Sequence, residues 1–95
     1  MEIQSKMNTE QKLALIKIGH PKHLDTLVHD SNPYVRWHVA YSGNDKHRDT
    51  LVHDKDPYVR WRVAKCGNKD HATKLSKDSD SNVRKAAKRR LKELG

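Results

Sequence analysis

Five of the seven histidines keep a fixed spacing: His23, His47 and His71 fall 24 residues apart, as do His29 and His53. Imidazoles in a regular array suggest metal chemistry first. A zinc ion needs nitrogen ligands at about 2.0–2.1 Å, whereas one position in successive packed helical units recurs only about every 8–10 Å. Two of these histidines therefore cannot share an ion. His20 and His23, three residues apart, could grip one together, but no third protein ligand is close to them in sequence. They read as turn and capping residues, and no metal is expected. Cys66 is the only cysteine and repeats Ser42, so it reads as a small packed position rather than a nucleophile. No nucleophile motif and no Gly-rich phosphate loop is present. The carboxylates concentrate in turns, where helix N-termini account for them. Neither an enzyme nor a cofactor is expected.

The remaining constellation is aromatic and basic. Tyr34, His38 and Tyr41 stand at i, i+4 and i+7, Tyr58, Arg62 and Lys65 repeat them 24 residues on, and Ala86 and Arg89 continue the row. Such side chains on adjacent helices suit an acidic protein surface, a phosphate backbone or stacked bases; a solvated helix face is the plain alternative. The net charge of +8 is uneven, at +2 for residues 1–22, −1 for 23–46, +2 for 47–70 and +5 for 71–95. A groove built for a phosphate backbone would not drop its positive charge midway. The expectation is a protein partner with an acidic surface, met by an adaptor or small inhibitor. Nucleic acid is the alternative, with the row extended by Lys85, Lys88, Arg89, Arg90 and Lys92. Trp37 and Trp61 are expected to fill gaps between units, exposure for binding being the other reading.

These residues are positioned by a repeat. Aligning 23–46 with 47–70 needs no gap and leaves 16 of 24 positions identical. A degenerate third copy occupies 71–95, and residues 1–22 hold a partial one. A period of this length marks stacked helical units that bury their apolar faces only against one another. Asn8 or Thr9 can cap a first helix that stops near Gly19. Each following unit then holds a short helix, the first running from Pro21 through His29, capped by His20, Asn44 or Asn68. A turn at Asp30–Pro33, Asp54–Pro57 or Asp78–Ser81 leads into a longer helix, capped by Asn32, Asp56 or Asp80 and spanning Pro33–Ser42, Pro57–Cys66 or Ser81–Leu94. Gly43 and Gly67 are expected to close the first two longer helices in left-handed conformation. Nothing alternates with period two, so the fold class is all-α. Apolar and charged residues each make up 34% of the chain; so polar a composition leans towards disorder, but the repeat aims its apolar residues at one seam.

Projected at about 100° per residue, the second longer helix gathers Val59, Arg60, Trp61, Val63, Ala64 and Cys66 into one wide arc and leaves Tyr58, Arg62 and Lys65 outside it. Lys85 and Lys88 replace the Trp61 and Ala64 positions, making the last unit a polar cap. Leu13 and Ile16 take the same phases in the first helix, an apolar lid. No apolar run reaches about 18 residues, and Met1–Lys22 lacks a secretion signal's apolar region and cleavage site. A cytoplasmic protein without membrane contact is expected, with a monomer as the default oligomeric state.

The runs Asp30, Pro33, Val35, Arg36 and Asp54, Pro57, Val59, Arg60 resemble the HEAT repeat, and the 24-residue length with V-R-x-x-V-A is similar to its compact relative, the leucine-rich repeat variant. Ser81 and Lys88 depart from the pattern. The resemblance implies a right-handed α-solenoid of about three helical-hairpin repeats plus an N-terminal lid, used for binding partners, sometimes nucleic acid, and not an enzyme. It also implies a ladder between units formed by Asp30, Asp54 and Asp78 with Arg36, Arg60 and Arg84. The chemistry agrees independently, since an arginine inside a buried arc needs an acceptor, and a turn carboxylate of a neighbouring unit supplies a bidentate one.

Overall fold

The computed structural model describes residues 7–95, so the first six residues of the N-terminal lid segment 1–22 lie outside it. Every regular element among the described residues is an α-helix: α1 Thr9–Ile18, α2 Pro21–Leu27, α3 Pro33–Ser42, α4 Asp45–Leu51, α5 Pro57–Cys66, α6 Lys69–Leu75 and α7 Ser81–Leu94. None is long and apolar enough to cross a membrane.

Local side chains start each helix. Asn8 Oδ1 accepts from the Gln11 N–H at 2.8 Å while Gln11 Oε1 accepts from the Asn8 N–H at 3.0 Å, a reciprocal cap on α1. Asn32, Asp56 and Asp80 accept from the second residue of α3, α5 and α7 at 2.9, 2.8 and 2.8 Å. Pro33 and Pro57 follow at the first helical position, where a missing N–H costs nothing. The first short helix, α2, ends at Leu27 rather than His29, because the chain turns there to bring Asp30 to the start of the next turn.

The odd-numbered helices pack side by side, α1 on α3, α3 on α5 and α5 on α7, and each even-numbered helix packs between its two chain neighbours. The described chain measures 44 × 22 × 17 Å. Val35, Val59 and Val83 are fully buried at one phase of the repeat, Val39, Val63 and Ala87 at another, and Leu27, Leu51 and Leu75 face them from the short helices. In α1, Ile16 is buried and Leu13 packs against the same core.

Two glycines depart from the sequence-based expectation. Gly43 (φ −77°, ψ −171°) and Gly67 (φ −74°, ψ 173°) are extended, not left-handed; only Gly19, closing α1 at φ 75°, adopts that conformation among the helix-closing glycines before the C-terminal residue. Their reason is proximity. A Cβ on Gly67 would lie 2.7 Å from His71 Cβ and 2.7 Å from the Val63 carbonyl oxygen, and one on Gly43 2.6 Å from the Val39 carbonyl oxygen.

That histidine is structural. His47 and His71 are buried third residues of α4 and α6, and their Nδ1 atoms accept from the Asn44 and Asn68 N–H groups at 3.2 and 3.1 Å. With Nδ1 accepting, the proton sits on Nε2, which donates to Asp25 at 2.7 Å and to Asp49 at 2.6 Å in the preceding unit. The His47 hydrogen bond, with the charge of Lys46, holds the Asp25 carboxyl below its ordinary value. Each histidine therefore caps its own short helix and ties it to the short helix of the preceding unit.

A second tie runs through the turns. Arg36 donates from Nε and Nη2 to Asp54 at 2.7 and 3.1 Å and from Nη1 to the Asp30 carbonyl at 2.7 Å. Arg60 does the same with Asp78, at 2.9 and 3.2 Å, and with the Asp54 carbonyl at 2.7 Å. The paired carboxylate stands 18 residues after its arginine, in the next unit. Burial alone would raise the Asp78 carboxyl, but the Arg60 hydrogen bond and the Asp80 N–H outweigh it and hold it below its ordinary value. Arg84 donates only to the Asp78 and Ser79 carbonyls, at 2.8 and 3.0 Å.

Candidate functional site

The α3, α5 and α7 face carries the aromatic and basic row. Helical spacing puts Tyr34, His38 and Tyr41 on one edge of α3 and Tyr58, Arg62 and Lys65 on the matching edge of α5, and packing of α3 on α5 joins them. Tyr34, Tyr41 and Tyr58 are about half exposed, at 50, 54 and 55%. Between them, Trp37 and Trp61 are half-buried against the core. The result is a continuous stack across two units: Tyr34 to Trp37 at 6.5 Å, Trp37 to Tyr58 at 5.6 Å and Tyr58 to Trp61 at 5.6 Å, with interplanar angles of 14, 14 and 7°. Trp37 thus meets Tyr58 of the next unit, whereas Trp61 stacks on Tyr58 of its own helix and lines the open α5–α7 side; both support the exposed tyrosines.

Arg62 differs from its expected place outside the buried arc. It is half-buried, and its guanidinium lies 4.2 Å from the Tyr41 ring centroid and 4.9 Å from that of Trp37. Cation–π attraction and the apolar stem draw it into the α3–α5 groove. His38 meets Tyr34 and Trp37 edge-on at 4.7 Å each. Burial lowers its pKa from the ordinary value, and the nearby Arg62 charge lowers it further, so His38 is neutral at neutral pH. Trp37 Nε1, His38 Nε2 and Arg62 Nε are buried here without hydrogen-bond partners.

Lys65 places its ammonium 5.0 Å from the Trp61 centroid, and Arg89 lies across from it on α7. Between α5 and α7 opens a cleft of about 660 Å³, floored by Tyr58 and Trp61 and edged by Lys65, Lys85 and Arg89. These three cations make no ion pair among the described residues.

No protein family, curated protein or solved structure matches this chain. The chemistry is therefore read from the residues themselves. No three His, Cys, Asp or Glu side chains among the described residues converge in a metal-ligating group. His20 caps α2 through Nδ1, accepting from the Lys22 N–H at 3.2 Å, with its ring 5.3 Å from that of His23.

Several participants escape a reading of the sequence. Lys12 donates to Asp30 at 2.7 Å, and its position 24 residues before Arg36 was the available signal. Asp25 and Asp49 also repeat, and their role follows once His47 and His71 are seen to be buried. Arg48 and Arg90 donate to carbonyls at the C-terminal ends of α3 and α5, at 2.9 Å to Ala40 and 2.9 Å to Gly67. They share no repeat position, so the period offers no signal for them.

Proposed function

We propose that this chain is a non-enzymatic protein-interaction module, an adaptor or small inhibitor that holds a partner against its α3, α5 and α7 face. The same proposal takes the helices as a right-handed solenoid of three 24-residue hairpins under an N-terminal lid, related to HEAT and leucine-rich-variant repeats and working as a cytoplasmic monomer. The observation that carries it is the row of half-exposed Tyr34, Tyr41 and Tyr58, ordered by stacking on Trp37 and Trp61. An exposed aromatic already fixed in one rotamer loses little entropy when a partner covers it, and such residues carry interface energy out of proportion to their number. Three uncompensated polar atoms on this face add support, because an arrangement that costs stability is found where something other than stability is served.

Nucleic acid is a second reading, favoured by the cations of α7 and by the unpaired Lys65, Lys85 and Arg89. It is weakened by the neutral His38 and by Arg62, whose charge is stacked on its own protein's rings. Affinity capture from the native host with the wild-type chain and a Tyr34→Ala, Tyr41→Ala variant tests the choice. Proteins retained by the first and lost by the second support the proposal. Retention of nuclease-sensitive material, indifferent to the tyrosines, contradicts it.

A further inference from the structure

We infer that the α5–α7 cleft is a docking site for a short acidic segment of a protein partner, and that Ala86 is the residue that opens it. The inference rests on reading this face as protein-binding and names the chemistry the partner brings. Two equivalent grooves lie on the face. In the α3–α5 groove the Arg62 side chain lies over Trp37 and Tyr41 and fills the space. In the α5–α7 groove the equivalent residue, 24 positions later, is Ala86, whose side chain stops at Cβ. Trp37 and Trp61 are likewise followed by Lys85. The second groove thus lacks the side chain that fills the first and has Lys65 where the first has Tyr41, leaving a tyrosine and tryptophan floor and a cationic rim.

Its polarity follows from which charges are already engaged. Of the two carboxylates at the cleft, Asp80 accepts the Asn82 and Val83 N–H groups at 2.8 and 3.0 Å, and Glu93 lies 3.7 Å from Arg90. Lys65, Lys85 and Arg89 have no such partners. An aromatic floor below three free cations suits carboxylate side chains whose aliphatic stems rest on the rings. The volume of about 660 Å³ is that of a pocket for a few side chains. Within the aromatic and basic row the exposed cations lie at this groove, since His38 is neutral and Arg62 is half-buried under its stacking contacts in the other, whereas Lys65, though 5.0 Å from the Trp61 ring, stays exposed. A phosphate backbone bears a charge on every nucleotide and would be neutralised along the whole row; a single cluster matches a short acidic stretch in a segment that continues over the tyrosines.

Selection of displayed random dodecapeptides on the full chain, followed by fluorescence anisotropy of the enriched peptides, tests this. Acidic peptides should be enriched. Lys85→Ala and Arg89→Ala, both at exposed positions, should each weaken them about fivefold or more. Ala86→Arg should weaken them as much while adding a positive charge, because the new side chain fills this groove as Arg62 fills the other; circular dichroism checks that the helices persist. If Ala86→Arg binds the peptides as well as the wild type or better, net charge rather than the cleft attracts them and the inference falls. The protein-binding reading then survives, provided Tyr34→Ala still weakens the peptides. Enrichment of no peptide, with a dodecathymidylate probe bound instead, overturns both.

Discussion

Lys12 Nζ meets Asp30 Oδ1 at 2.7 Å, the place that Arg36 takes against Asp54 one unit later. The ladder thus begins on α1 with a single-point ammonium and continues with bidentate guanidinium forks. It ends at Arg84, which has two carbonyls and no carboxylate. Each turn carboxylate does two jobs, since Asp30, Asp54 and Asp78 also accept the N–H two residues on, at 3.0, 2.9 and 2.9 Å.

Rung position should set the cost of truncation. Arg36→Ala leaves Asp54 buried without its partner and should lose about 3–5 kcal/mol, the usual penalty for breaking a buried pair. Arg84→Ala removes charge-assisted hydrogen bonds to two carbonyls but leaves no carboxylate without its fork, and should lose less, about 1–2 kcal/mol. Urea denaturation of the two variants compares them, and equal losses would contradict the ladder as a source of stability.

Gly67→Ala should be destabilising by about 1–3 kcal/mol through overpacking, because its backbone angles suit any residue while His71 and the Val63 carbonyl occupy the space of a Cβ. The loss should shrink in part in a His71→Ala background, which removes the Nδ1 at 2.8 Å but keeps the Cβ at 2.7 Å. Gly19→Ala should cost about 1–2 kcal/mol through left-handed strain and should be unaffected by His71→Ala. Thermal melts of the double variants check both statements.

His71→Gln should be milder than His71→Ala. Gln11 in α1 already makes the reciprocal cap that His71 makes in α6, so glutamine can keep that bond while losing the tie to Asp49. Alanine loses the cap, the tie and the buried ring, for about 2–4 kcal/mol. Chemical denaturation that ranks the two alike would remove the capping role.

Acid should act through His38. Its folded pKa lies below 6.5, so on acidification the unfolded chain takes up the proton first. The neutral ring's contribution to stability is therefore complete above that value and declines as pH falls from 6.5 towards the folded pKa. NMR titration should give a His38 midpoint below 6.5 that rises in Arg62→Leu as the neighbouring charge is removed. A midpoint unmoved by that change would refute the coupling.

The helices were legible in the sequence because the repeat states each signal more than once: Asn32, Asp56 and Asp80 announce three helix starts, and the structure begins α3, α5 and α7 directly after them. Position around a helix was readable; height above it was not. A projection sends Arg62 outward, but its guanidinium lies over the Trp37 and Tyr41 rings of the neighbouring helix. Glycine at a helix end suggests a left-handed closure for Gly43 and Gly67; their actual constraint, a histidine four residues on, depends on where that ring is buried. The α5–α7 cleft could be found only by comparing units, since Ala86 is unremarkable until it is set against Arg62.

Contact in the cell is the most direct test of the protein-binding face. Tyr58, at the centre of the stack, can be replaced by the photo-crosslinker p-benzoylphenylalanine in the native host, with Lys74 on the exposed side of α6 replaced in parallel as a control. The account predicts a protease-sensitive, nuclease-resistant adduct at Tyr58 that is absent at Lys74. A nuclease-sensitive adduct at Tyr58, or the same adducts from both positions, would contradict it.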